Sequence, residues 1–309
     1  MVLAPEETTP EVADTGEVVS LSRRRLILRR FLRRKISIAG LAVIATMFVG
    51  AFVIPLFYKW DHRTPDFTAL LQGPSPDHWF GTTQTGLDVF AQTMRGLQKS
   101  LVIGVLTALL STGTAALVGA TAGYFGGWVE RVTMWFVDLL LVLPSFLLLV
   151  ILSPYFKEST WLLFVFLLAA FSWMITARVV RSMTLSLRER EFVQAARFMG
   201  VPARKIITRH LLPNMASFLI IDATLLVGGT ILAETGLSYF GFGIQPPDVS
   251  LGSVIEDGSQ AFSTPYWWLW VFAGSILVLT VLSASVIGDG LRDAFDPHSS
   301  RAQKKSAPR

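Results

Sequence analysis

The amino-acid sequence predicts an all-α integral membrane protein with about six transmembrane helices. Three observations carry that expectation. The chain of 309 residues is 52% hydrophobic and only 16% charged, with a mean hydropathy of +0.52, a balance that suits a bilayer. Six apolar runs are each about 20 residues long, enough for a helix to cross a hydrocarbon core of ~30 Å. The 27 Lys and Arg also sort by side. With both chain ends in the cytosol, 22 of them fall on cytosolic segments and 5 (Lys59, Arg63, Arg95, Lys99, Lys157) fall outside. The positive-inside rule favours that orientation, and an even number of spans follows.

Residues 1–22 are acidic, contain Thr and Pro and have few large apolar groups, which predicts a disordered cytosolic tail. Residues 23–35, RRRLILRRFLRRK, set Leu26, Ile27, Leu28, Phe31 and Leu32 among eight basic residues. An amphipathic helix lying on anionic lipid reads this way, and so does a plain block of charge that fixes topology. Residues 36–57 form the first span. Residues 58–99 are polar and rich in Pro and Gly, with Trp60, Trp79 and Phe80 suited to an interface, and are expected outside the membrane. The second span, 100–124, carries Gly104, Ala108, Ala115, Gly119 and Gly123 for close helix packing. After a short turn, 132–152 form the third span, with Asp138 and a kink expected at Pro144. Residues 153–158 form a brief outer loop and 161–180 the fourth span. The fifth covers 213–233 and the sixth 267–287. Between these two, residues 234–266 hold four acids and no Lys or Arg, so they are expected outside. Residues 289–309 form a cytosolic tail.

The segment 181–212 is the only internal cytosolic part long enough to receive a mechanical input. Helix formers predominate from Leu187 to Met199, with Phe192, Ala196 and Met199 spaced as one apolar stripe. Ala195 and Ala196 leave that helix slim on one side. Gly200 suits a left-handed helix stop and Pro202 the first turn of a second helix, which runs to Leu212; Pro213 then starts the next span. A DNA-binding helix-turn-helix has similar grammar, but the flanking apolar runs tie this segment to a membrane.

Chemistry is limited by what the chain lacks. There is no Cys, and His62, His78, His210 and His298 make no HExxH. No GxxxxGK[ST] is present, so the chain has no Walker loop of its own. No nucleophile motif supports a membrane protease. No catalytic residue, metal ligand or resident cofactor is therefore expected.

Ala195, Ala196, Gly200, Leu212 and Pro213 stand at the spacing of the EAA loop that bacterial ABC importer permeases dock onto their ATPases, with departures at Gln194 and His210. That resemblance implies a coupling role for Glu191, Gln194, Ala195, Ala196, Arg197, Gly200 and Arg204. His78-Trp79-Phe80-Gly81-Thr82, Gly86, Asp88-Val89-Phe90 and Gly96 resemble a signature of the dipeptide/oligopeptide permeases, from which Thr83 and Leu87 depart. GLSYFGFGIQPP at 236–247 and GDGLRDAFDP at 288–297 are similar to two further signatures of that family.

The resemblance covers roughly 79–297. It implies a type I ABC importer permease fold with a core domain at 100–288, a C-type permease, in the bacterial inner membrane. The implied partners are a homologous second permease, ABC ATPase subunits that bind ATP and Mg, an extracytoplasmic substrate-binding protein, and a short peptide substrate. The same assembly also carries nickel complexes, glutathione or other small solutes in related systems. An ion-coupled transporter is the rival class, resting on Asp138 and Asp222. Pairing of Asp138 with Arg131 or Arg178 is the simpler reading. Asp222 is read three ways: as meeting a peptide amino group, bonding a nearby Thr, or pairing with the second permease. Glu234, Phe240 and Phe242 are expected at the outer gate, with Glu234 as a gate or docking residue.

Overall fold

The computed structural model describes residues 23–153, 161–259 and 265–295. The expected tail at 1–22 lies outside the described residues, as do most of the brief outer loop and of the C-terminal tail. The described chain is helical. α1 (Arg23–Arg33) leads through Arg34 into α2 (Lys35–Phe52). An irregular segment then reaches α3 (Val89–Phe125), which at 37 residues is about 55 Å long. Its start lies eleven residues before the expected second span. The Asp88 side chain accepts from Ala91 N–H at 2.7 Å, so the helix is capped well outside the apolar run.

α3 is the central strut, packed by α7 and α10 on its sides. The small residues expected on it do bring backbones together. A Cβ on Gly119 would stand 2.4 Å from the Ala177 carbonyl oxygen, and one on Gly123 2.7 Å from that of Arg181.

The third and fourth apolar runs are broken rather than straight. α4 (Gly127–Val142) and α5 (Ser145–Leu152) meet at 77°. Pro144 forces the preceding Leu143 into an extended conformation, φ −74° and ψ 130°, so a sharp corner replaces the expected kink. α6 (Trp161–Ser172) and α7 (Met174–Arg188) meet at 49° without a proline. There Ser172 Oγ donates back to the Leu168 carbonyl at 2.8 Å, and Trp173 Nε1 donates to the Ala170 carbonyl at 3.0 Å.

α8 (Glu191–Phe198) and α9 (Ala203–Ile206) follow, and α9 runs without a stop through a π-helical turn, Ile207–Leu211, into α10 (Leu212–Tyr239). Pro213 stands in the first turn of α10, as expected of a span start, but the preceding helix runs on into it without a break. The wider turn accommodates the missing N–H, while Asn214 Nδ2 donates to the His210 carbonyl at 2.6 Å. α9 and α10 therefore make one 37-residue rod. Its C-terminal end is Tyr239, six residues beyond the expected boundary, where Gly241 takes φ +77° and Phe242 N–H donates to the Leu237 carbonyl at 2.8 Å. α11 (Leu251–Ser259) lies in the segment between α10 and α12, and α12 (Trp268–Phe295) closes the bundle against α2 and α10.

Among the described residues, four helices are long and apolar enough to cross a membrane, and up to six crossings result if each bent pair counts as one. Arg34 pairs with Asp293, and Phe31 packs beside Gly290. The start of α2 and the end of α12 thus meet at one end of the bundle, as an even number of crossings requires.

Candidate functional site

At the end of the bundle holding Arg188, α8 and α9 form a helical hairpin. Its turn is Gly200, φ +75°, where Val201 N–H donates to the Ala196 carbonyl at 3.1 Å. The buried face of α8 is Val193 and Ala196, each 2% exposed, packed with Val180, Ile206, Leu211 and Met215. The apolar stripe is therefore not the expected one. Ala196 packs inward against the hairpin's own base, and only Ala195 offers a slim outer surface. Phe192 and Met199, expected on the packed stripe, are exposed, and Phe198 is 89% exposed. The tertiary cluster on α9 and α10 chose the i, i+3 pair Val193/Ala196, which the wider sequence stripe concealed.

The remaining hairpin residues point outward. Glu191, Gln194, Arg197 and Arg204 are exposed. Gln194 Nε2 donates to the Glu189 carbonyl at 3.3 Å, whereas the side chains of Glu191, Arg197 and Arg204 have no polar partner among the described residues. Sequence reading missed the tethers of the hairpin. Arg188 donates to the Gly123 carbonyl at 3.0 Å and Arg181 Nε to Glu130 at 2.6 Å, fixing α7 to the end of α3 and the start of α4.

Midway along the rod, Asp222 accepts from Thr176 Oγ1 at 2.9 Å and Thr112 Oγ1 at 3.1 Å. One carboxylate thus joins α3, α7 and α10. Asp138 accepts from Arg178 Nε at 3.1 Å.

The far end of the rod is built in the opposite sense. Glu234 is 0% exposed. Ser238 Oγ donates to it at 2.6 Å and Ser100 Oγ at 3.0 Å. These hydroxyls accept in turn from Ile244 N–H at 3.1 Å and Leu251 N–H at 3.4 Å. Glu234 therefore sits inside the protein as the hub of α3, α10 and α11. Each of its two carboxylate oxygens accepts from a hydroxyl whose own position is fixed by the backbone N–H it receives. Phe242 packs with Leu237, Ile103 and Phe164, while Phe240 is 62% exposed beside Phe146.

Two further features of this end escaped sequence reading. Lys99 lies 3.1 Å from Asp248 and 4.5 Å over the Trp161 ring, so a cation on α3 holds the loop before α11. His78 Nδ1 lies 2.7 Å from the Asp88 carboxylate, which also accepts from Tyr58 Oη at 3.0 Å and caps α3. Burial first, and then the Asp88 charge, push the Tyr58 phenol up. The HWFGT run is thus a staple on the start of α3. A cavity of about 310 Å³ opens here between Thr83, Gln84, Gln92, Val254 and Asp257. Burial, and then neighbouring Glu256, push the Asp257 carboxyl up to about 6. No group of three or more potential metal-binding side chains occurs among the described residues.

The chain resembles proteins of known description over nearly its whole length. Residues 115–301 match the profile of the binding-protein-dependent transport system inner membrane component, and residues 22–74 match that of the N-terminal TM domain of oligopeptide transport permease C. The oligopeptide transport system permease protein OppC of Mycobacterium tuberculosis is 56% identical over 279 residues, 90% of this chain and 96% of that protein. A putative peptide permease protein of Brucella suis is 40% identical over 271 residues, 87% of this chain and 89% of that protein. The oligopeptide transport system permease protein OppC of Haemophilus influenzae is 36% identical over 292 residues, 93% of both chains.

Proposed function

We propose, from the premise that this chain belongs to the binding-protein-dependent transport system inner membrane component family, that it is one of two permease subunits through which short peptides are imported by an ATP-driven assembly. The observation that carries the reading is the rod α9–α10. At one end it begins in a hairpin whose exposed Glu191, Arg197 and Arg204 side chains have no ion-pair partner among the described residues, with Phe192 and Phe198 exposed beside them, and its 37 residues then run unbroken past the buried Glu234 hub to Tyr239. A push on the hairpin is delivered to the far end with no flexible joint between.

In this reading the hairpin lies in the cytosol and fits a groove of an ABC ATPase, which binds ATP and Mg. Gln194 and Ala195 lie on the contacted face, and Ala196 and Gly200 fix the hairpin's shape. Both chain termini lie in the cytosol. A homologous permease completes the pathway along α10, where Asp222 is a pathway candidate, and an extracytoplasmic binding protein delivers the peptide to the Phe240 end. ATPase closure shifts the hairpin, tilts the rod and exchanges one arrangement of the spans for another.

The test is purification from the native membrane in mild detergent, followed by reconstitution. Recovery of a second permease, ATPase subunits and a binding protein, with peptide uptake that requires ATP, is the expected result. Transport by this chain alone, driven by an ion gradient without ATP, overturns the reading. Changing the cargo while the same assembly is recovered corrects only the substrate.

A further inference from the structure

The basic run before the first span has no part in the coupling route, yet α1 is a built element. At 100° per residue its side chains divide into three faces. Ile27 and Phe31 face the end of α12. Phe31 is 7% exposed, and its ring edge lies 3.1 Å from the point where a Cβ on Gly290 would stand. Arg34 closes this contact by pairing with Asp293 and donating to the Asp289 carbonyl at 3.3 Å. Leu28 and Leu32, one turn apart, form a second face and are 59% and 48% exposed. Arg25, Arg29 and Arg33 form the third face, exposed and without an ion-pair partner among the described residues. Residues 23–35 contain no acid.

We propose that α1 is an interfacial anchor bound to an anionic lipid surface, with Leu28 and Leu32 in the acyl boundary and Arg25, Arg29 and Arg33 on headgroup phosphates. The occupant follows from covalent continuity. α2 begins at Lys35, one residue after α1 ends, and is a span, so the last turn of α1 stands where the chain enters the bilayer. A leucine face at that depth meets acyl chains, and the arginines beside it reach the phosphates. A block of charge that only fixes topology needs neither the leucine face nor the seat on α12. Because Phe31 and Arg34 hold α1 against α12, lipid bound on the outer faces also steadies the α2–α12 pair.

The full chain lacks Cys, so Leu28→Cys and Arg29→Cys each provide a unique spin-label site. In nanodiscs of phosphatidylcholine and phosphatidylglycerol, the label at 28 is expected to collide with oxygen in the acyl region and the label at 29 with a water-soluble relaxer. Equal access of both labels to water overturns the proposal. Arg25→Gln/Arg29→Gln/Arg33→Gln is expected to retain phosphatidylglycerol over phosphatidylcholine roughly tenfold less well in native mass spectrometry. Leu28→Ser/Leu32→Ser, compared with the Arg29→Cys parent that carries the same charges, is expected to bring the label at 29 out of the headgroup layer. If the leucine variant leaves label depth unchanged, or the arginine variant leaves lipid preference unchanged, α1 is a topological signal and not a lipid anchor.

Discussion

The two ends of the α9–α10 rod are opposites. At the hairpin end, Glu191, Arg197 and Arg204 are exposed and unpaired among the described residues, and Phe198 stands 89% exposed. At the other end Glu234 is fully buried and bonded by two serines, while Lys99 holds Asp248. The first end leaves charges and an aromatic ring exposed, and the second keeps its polar groups bonded to one another. The difference teaches where to look for energy. Burying a carboxylate demands hydrogen-bond partners, so the Glu234 end is stability-critical, whereas the exposed residues of the hairpin can be altered with little effect on the fold.

Glu234 is the most sensitive position of the two ends. Glu234→Ala strands the Ser100 and Ser238 hydroxyls and leaves a void, and it is expected to destabilise the protein by about 3 kcal/mol, read as a lower thermal midpoint in detergent. A midpoint equal to the wild type would mean that the hub is not structural.

Two glycines sharpen the contrast at smaller magnitude. A Cβ at Gly252 would lie 2.6 Å from the Thr235 carbonyl oxygen, so Gly252→Val is expected to cost about 2 kcal/mol by overpacking. Nothing lies within 4 Å of a Cβ on Gly200, and Gly200→Ala is expected to cost only about 1 kcal/mol, from its φ of +75°. Denaturant midpoints that reversed this order would contradict the comparison.

A weaker effect is expected at Asp257. Its folded-state value of about 6 lies above the ordinary carboxylate value of 3.8, so folding favours the protonated form. The contribution is complete below about pH 4 and is lost as pH rises through about 6. Amide exchange in α11, corrected for intrinsic rates, is expected to show greater protection at pH 5 than at pH 7.5, and Asp257→Asn is expected to remove the difference.

The smallest stability change is expected for Phe198→Ser, within about 0.5 kcal/mol, because the side chain is almost wholly exposed. Binding of the ATPase subunits is nevertheless expected to fall by tenfold or more if Phe198 is a central anchor of that contact. A large loss of stability with ATPase binding intact would reverse the roles assigned to the two ends.

How much of this was legible in sequence depended on the range of the interaction. The apolar runs and the Gly200 turn are local properties, and each left its mark in composition or in a residue type with a special backbone. Pro144 gave the site of a break but not its size, and the break at Trp173 left no proline to read. Pro213 misled, because its effect depended on a π-helical turn that absorbed it. The packed face of α8 was misread because Ile206, Leu211 and Met215 decide it from another helix.

The sequence by itself determined that this chain lives in a bilayer, where it has long apolar helices, and that a charged hairpin with a glycine turn interrupts them. Span length and helix stops are fixed by a residue and its near neighbours. Only the tertiary structure decided that Glu234 is a buried hub and that Asp222 joins two threonines. Thr112 lies 110 residues from Asp222 and Ser100 lies 134 from Glu234. No periodicity along a chain encodes which hydroxyl will stand opposite a carboxylate once three helices have packed.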